Sequence, residues 1–110
     1  MNLYIATPIN ARKGNDLKEK LLEAKHRINL LKEILGDDKR FKDYRFISTF
    51  DLNDIGERTE AEAMGGCIQL VLTSDAILLD HGWNASKGCN LEYRAAKIYG
   101  LQIFELDKLD

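Results

Sequence analysis

The chain opens on a short apolar run, Leu3 to Ala6, that stops at Thr7-Pro8. A buried strand ended by a proline-containing turn fits this pattern. The next segment, Thr7 to Asn15, is rich in residues that turn the chain and donate hydrogen bonds. A long amphipathic helix follows. Leu17, Leu21, Ala24, Ile28, Leu31 and Leu35 recur at alternating spacings of four and three, and Leu22, Leu30 and Ile34 widen the stripe. Asn15 or Asp16 is placed to cap its start and Gly36 to end it. The seam is too short for a coiled coil to be preferred over a helix packed on a sheet. A charged connector around Lys39 to Lys42 leads to Tyr44–Thr49, which reads as a second strand, and Phe50 to Arg58 is polar and turn-like.

From Thr59 to Thr73 the pattern returns to helix, with Glu62 three positions after Thr59 as in a capping box. Gly65-Gly66 inside it should cost about 1 kcal/mol each against alanine. Either they permit close backbone packing or the helix breaks there. Asp75 to Asp80 holds four consecutive apolar residues between two acids, as expected of a strand covered on both faces. His81 to Ala85 forms a loop into a third helix, capped by Ser86 and ended by Gly100, and Leu101 to Leu106 is a last strand.

The order βαβαβαβ predicts one α/β domain over residues 1–110, three-layered and Rossmann-like, with a parallel sheet of about four strands and right-handed crossovers. In strand order 2-1-3-4 the winding reverses between strands one and three. Ligands of open α/β sheets bind at that point, beyond the carboxyl ends of the strands. The two loops that meet there, Thr7 to Asn15 and His81 to Ser86, are also the most chemically unusual in the chain.

Composition narrows the classes. At 110 residues, 45% hydrophobic and 31% charged, the chain is an ordinary globular domain. A net charge of −2 gives no global attraction to nucleic acid or to an anionic membrane. The start carries no basic, apolar leader, and no stretch approaches the roughly 20 apolar residues of a membrane helix. Cys67 and Cys89 lack metal-site spacing, and no His/Asp/Glu cluster has it either, so no metal or cofactor is expected and the cytoplasm is the expected compartment.

Several residues at the two loops carry possible chemistry. Ser86 at a helix start, with Gly88 two positions on, is either a plain cap or a small anion site where exposed N–H groups favour phosphate and glycine lets a ligand approach. Glu92, in the second turn of the same helix, is either a solvated surface residue or a carboxylate turned toward the ligand and able to attack a sugar carbon. Asp80 is better placed than Asp75 to meet a ligand. Trp83 either stacks on a base or packs over the sheet edge. His81 is a lone histidine, His26 reads as surface, and Arg12 and Lys13 either meet phosphate or stay solvated.

Tyr4-Ile5-Ala6-Thr7-Pro8-Ile9, then Ser74 to Leu79, Gly82-Trp83-Asn84-Ala85-Ser86-Lys87-Gly88-Cys89-Asn90-Leu91-Glu92, and the close Ala95 to Gly100 form a pattern. It resembles the nucleoside 2-deoxyribosyltransferase-like superfamily, and most closely its small domain-of-unknown-function family 4406. The resemblance implies a flavodoxin-like fold, a frequent homodimer and cleavage of an N-glycosidic bond by a glutamate nucleophile. Glu92 matches that nucleophile. Ser86 matches a serine that contacts a 5′-phosphate, and Tyr4, Thr7, Pro8 and Ile9 match a loop surrounding the sugar. A family aspartate that helps protonate the leaving base falls, by spacing, at Cys67. A thiol with an ordinary pKa of about 8.5 is a poor substitute. Either the helix register differs, another acid serves, or the chain binds without turnover.

The expected function is therefore a nucleoside or nucleotide N-glycosidase or deoxyribosyltransferase acting through Glu92, with Tyr4, Thr7, Pro8, Ile9, Asp80, Trp83, Ser86 and Gly88 around the ligand. The alternative is a non-catalytic protein that senses or sequesters a nucleotide on the same scaffold. The expected partners are a small nucleoside or nucleotide and a second copy of the chain. The long first helix supports the second copy, since it has more apolar positions than one sheet face readily buries.

Overall fold

The computed structural model of the chain describes residues 1–9 and 15–109, with Asn15 and Asp16 described by their backbone alone. Arg12, Lys13 and the cap expected from Asn15 or Asp16 lie outside the described residues. The strands are β1 (Asn2–Ala6), β2 (Arg45–Ile47), β3 (Ala76–Leu79) and β4 (Gln102–Glu105). The helices are α1 (Asn15–Gly36), α2 (Glu60–Leu72) and α3 (Lys87–Ile98). All strand pairs are parallel, in the order β2-β1-β3-β4, so the reversal of winding falls between β1 and β3 as the alternation predicts. No described helix is long and apolar enough to cross a membrane.

The sheet separates two cores because successive strand residues point to opposite faces. Leu3, Ile5, Ala76 and Leu78 pack with Ile28, Leu31 and Leu35 of α1 and with Phe41. Tyr4, Ala6, Ile77 and Leu79 pack on the other face with Cys67 and Val71 of α2 and Cys89 and Ala96 of α3. Both central strands are thus covered twice, which explains their unbroken apolar runs. The α1 stripe is narrower than its pattern suggested. Ala24, Ile28, Leu31 and Leu35 are buried, whereas Leu22, Leu30 and Ile34 are 56%, 47% and 53% exposed. They fall on the next helix rows round from the seam, where a single helix over a sheet meets solvent.

Two boundaries moved for local reasons. β2 ends at Ile47 rather than Thr49, because Ser48 and Asp51 close a capping box over the 3-10 turn Thr49–Asp51. The loop after β3 also holds a 3-10 turn, Trp83–Ala85, entered through Gly82 at φ 80°, a left-handed conformation that glycine adopts without a Cβ penalty. The Thr59–Glu62 box caps α2 as its sequence predicts.

Gly65 and Gly66 lie inside an unbroken α2. A Cβ on Gly66 would stand 2.9 Å from both terminal carbons of Leu52, so that glycine is where the connector packs against the helix; a Cβ on Gly65 would meet nothing within 4 Å. Gly65→Ala should therefore raise the unfolding free energy by about 0.5–1 kcal/mol, the helix-propensity gain alone. Gly66→Ala should gain clearly less, because Leu52 must move. Urea melts of the two variants check this; equal gains would mean that Leu52 does not constrain the helix.

Candidate functional site

Beyond the carboxyl ends of β1 and β3 lies a cleft of about 580 Å³, bounded by Thr7, Pro8 and Ile9 after β1, by Asp80, His81, Gly82 and Ala85 after β3, and by Lys20, Glu23, Ala24 and Arg27 on α1. Four of the α1 positions that line it, at spacings of three, one and three, form a single helix face. The cleft is built around Asp80. Its buried carboxylate accepts from Thr7 Oγ1 at 3.0 Å, from Arg27 Nε at 3.0 Å and Nη2 at 2.7 Å, and from the His81 backbone N–H at 2.7 Å. Asp80, expected to meet a ligand, lines the cleft, and its oxygens accept hydrogen bonds from the cleft's own walls. Thr7 is tied to it, while Pro8 and Ile9 are half-buried and face the cleft. A two-pronged guanidinium–carboxylate contact with a buried acid is a strong pairing. Removing the cation from such an acid costs about 3–5 kcal/mol where both partners are buried, and less here because the Arg27 side chain is 39% exposed.

On the opposite face of the same strand, Tyr4 and Glu92 meet. Alternation along β1 turns Tyr4 toward α2 and α3, and the second turn of α3 brings Glu92 under it. The Tyr4 hydroxyl donates a very short hydrogen bond to Glu92 Oε2, and both residues are buried. Burial pushes the Glu92 carboxyl up to about 7, partly offset by the Tyr4 hydrogen bond. Tyr4 is held well above the usual phenol range, first by burial and then by the Glu92 charge. Cys67 of α2 completes the group. Its Sγ lies 3.0 Å from Thr49 Oγ1, and it shares a core with Tyr4. The counting that aligned Cys67 with the site is thus matched by its position, and burial raises its pKa further. Cys89, on α3 and in the same core, is pushed up to about 12.

The remaining expected residues serve the fold first. Ser86 is buried and its Oγ accepts from the Cys89 N–H at 3.2 Å, an N-cap. Gly88 does not open α3 to a ligand; a Cβ there would lie 3.4 Å from the Met64 sulfur, so the glycine admits α2. Trp83 packs on Tyr93, with ring centroids 4.8 Å apart, and does not line the cleft. Exposed His81 faces Asp107 at 3.0 Å. Among the described residues no group of His, Cys, Asp and Glu is arranged to hold a metal ion. Sequence reasoning missed Arg27 and Thr49. A buried strand-end acid does call for a cation, but it does not say from which helix. Thr49 had a weaker signal, since the loop after β2 borders the switch point.

The raised Glu92 pKa has a consequence for stability. Near pH 4 and below, Glu92 is protonated folded or unfolded. Between the ordinary value of 4.5 and about 7 the folded chain holds a proton that the unfolded chain releases, so stability falls as pH rises through this window and levels off above it. The loss is on the order of 3 kcal/mol. Glu92→Gln, which keeps an acceptor for Tyr4, should unfold at a higher denaturant concentration than wild type near pH 8 and match it near pH 4. An equal difference at both pH values would show that the carboxyl is not raised.

Comparison with curated proteins finds no match to this chain. The sequence model of the family described as Domain of unknown function (DUF4406) matches residues 1–105, which takes in both cleft loops, the Tyr4–Glu92 pair and all four strands, and the chain belongs to that family.

Proposed function

We propose that the chain acts on a nucleoside or nucleotide as an N-glycosidase or deoxyribosyltransferase, with Glu92 as the nucleophile. The observation that carries this reading is a buried carboxylate on α3, oriented by a phenolic donor from β1, Tyr4. Surface helix glutamates are solvated; an acid withdrawn from water and held in one rotamer is arranged for chemistry. In this reading a carboxylate oxygen attacks the anomeric carbon, the bond to the base breaks, and water or an acceptor hydroxyl then releases the sugar from the glycosyl ester. Tyr4 fixes the carboxylate.

A non-catalytic nucleotide-binding role is the second reading. It is favoured by the neighbour of Glu92 on α2, which is a high-pKa thiol rather than a carboxylic acid. Association of two copies along α1 belongs to either reading, supported by the exposed row of Leu22, Leu30 and Ile34. Sedimentation equilibrium at micromolar concentration should give a species of twice 12.5 kDa, and Leu30→Glu should return it to the monomer mass. A wild-type monomer would remove the dimer.

The central test pairs a binding titration with a base-release assay. Glu92→Ala should lose turnover by several orders of magnitude while nucleotide affinity changes by less than about tenfold. The wild-type kcat/KM should rise with pH and level off above about 7, because attack requires the ionised carboxylate and Glu92 titrates there. Tight binding of a nucleotide without release of its base would replace the enzyme by the binding protein. Turnover retained in Glu92→Ala would make Glu92 an ordinary buried residue.

A further inference from the structure

Resting on the glycosidase reading, we infer that the site takes N-glycosides whose base already carries a positive charge, such as an N-alkylated purine or a pyridinium. Two features of the Tyr4–Glu92 group lead there. The first is that none of the described groups beside Glu92 is a proton donor suited to a leaving base. The described groups near Glu92 are Tyr4 from β1, Cys67 from α2, with Thr49 from the turn after β2 bonded to it, and Cys89 from α3. The thiols and the phenol are held neutral by burial and release protons poorly near neutral pH, and the alcohol is weaker still. The cation felt at Cys67 is Arg58, whose Nε is bonded to the Asn53 carbonyl at 2.8 Å. A neutral base leaves as an anion unless it is protonated. General-acid assistance at such a step is typically worth about 10²- to 10⁴-fold.

The second feature is charge. Among the described residues no ion pair reaches Glu92, and its recorded side-chain partner is the neutral Tyr4 hydroxyl. A buried acid without a cation is costly to ionise. A cationic base brings the missing positive charge and stabilises the attacking carboxylate. The ligand would then activate its own nucleophile.

The step balances without a proton. A Glu92 carboxylate oxygen bonds to the anomeric carbon as the carbon–nitrogen bond breaks; the electron pair stays on the ring nitrogen and neutralises it. Water then attacks the anomeric carbon and the ester bond breaks. Its electron pair returns Glu92 to a carboxylate, and one proton passes to solvent.

The experiment compares guanosine 5′-monophosphate with its N7-methylated, positively charged form on wild type, Cys67→Asp, Cys67→Ser and Glu92→Gln. Wild type and Cys67→Ser should release the methylated base at least about a hundredfold faster than the parent, with Glu92→Gln inactive on both. Cys67→Asp, which places an acid beside the leaving group, should raise release of the parent base about tenfold or more and alter the methylated one by less than about threefold. A merely structural role for Cys67 would shift both alike. Parent and methylated bases released equally by wild type in a Glu92-dependent reaction would overturn the inference and leave the glycosidase reading standing. So would a Cys67→Asp variant that folds and changes both substrates together. Release of neither base by wild type would remove both. If Cys67→Asp fails to fold, the comparison on wild type and Cys67→Ser still decides.

Discussion

Asp80 is the point on which the cleft end of the molecule hangs. It stands one residue past β3, on the α1 face, and its two oxygens accept hydrogen bonds from the end of β1, from the middle of α1 and from its own successor in the chain. Dispersion and burial do not fix direction; a forked guanidinium–carboxylate contact does. The hydrogen bonds of this one carboxylate tie α1 to the ends of β1 and β3 and so bear on the separation of the cleft walls.

The same topology gives the opposite face a different electrostatic character. Asp80 is matched by a cation, two neutral donors and a route to water through the exposed Arg27 side chain. Glu92 has a phenol and a dry core. Two carboxylates of one sheet thus have different surroundings, one held by a cation and neutral donors, the other buried and raised to about 7. Environments that separate two acids in this way are how one fold assigns distinct tasks to the same functional group.

Most of the scaffold was legible in the sequence because its signals are local or periodic. Four apolar residues in a row at Ala76–Leu79, the box at Thr59 and Glu62, and the glycine after α3 each speak for themselves. The errors lie where a contact decides. Periodicity cannot tell whether Leu30 has a neighbour; it has none that buries it. Gly88 looks like an opening for a ligand until Met64 is found opposite it. Arg27 and Asp80 are 53 positions apart and Tyr4 and Glu92 are 88, so neither pairing can be read from spacing. What could be read was that the winding reverses between β1 and β3, and the two loops at that point do border the cleft.

Glu92 also bears on why its surroundings are otherwise so apolar. Ala6, Ile77, Leu79, Val71 and Ala96 share its core and offer it no hydrogen-bonding side chain. Each withdraws water, and each raises the cost of the charged form. A solvated carboxylate would be cheaper for the fold and less responsive, since water would screen any charge brought near it. In a buried core a charge beside Glu92 would be screened little, and a neighbouring cation would lower its raised pKa. The instability and the responsiveness are two readings of one desolvated acid.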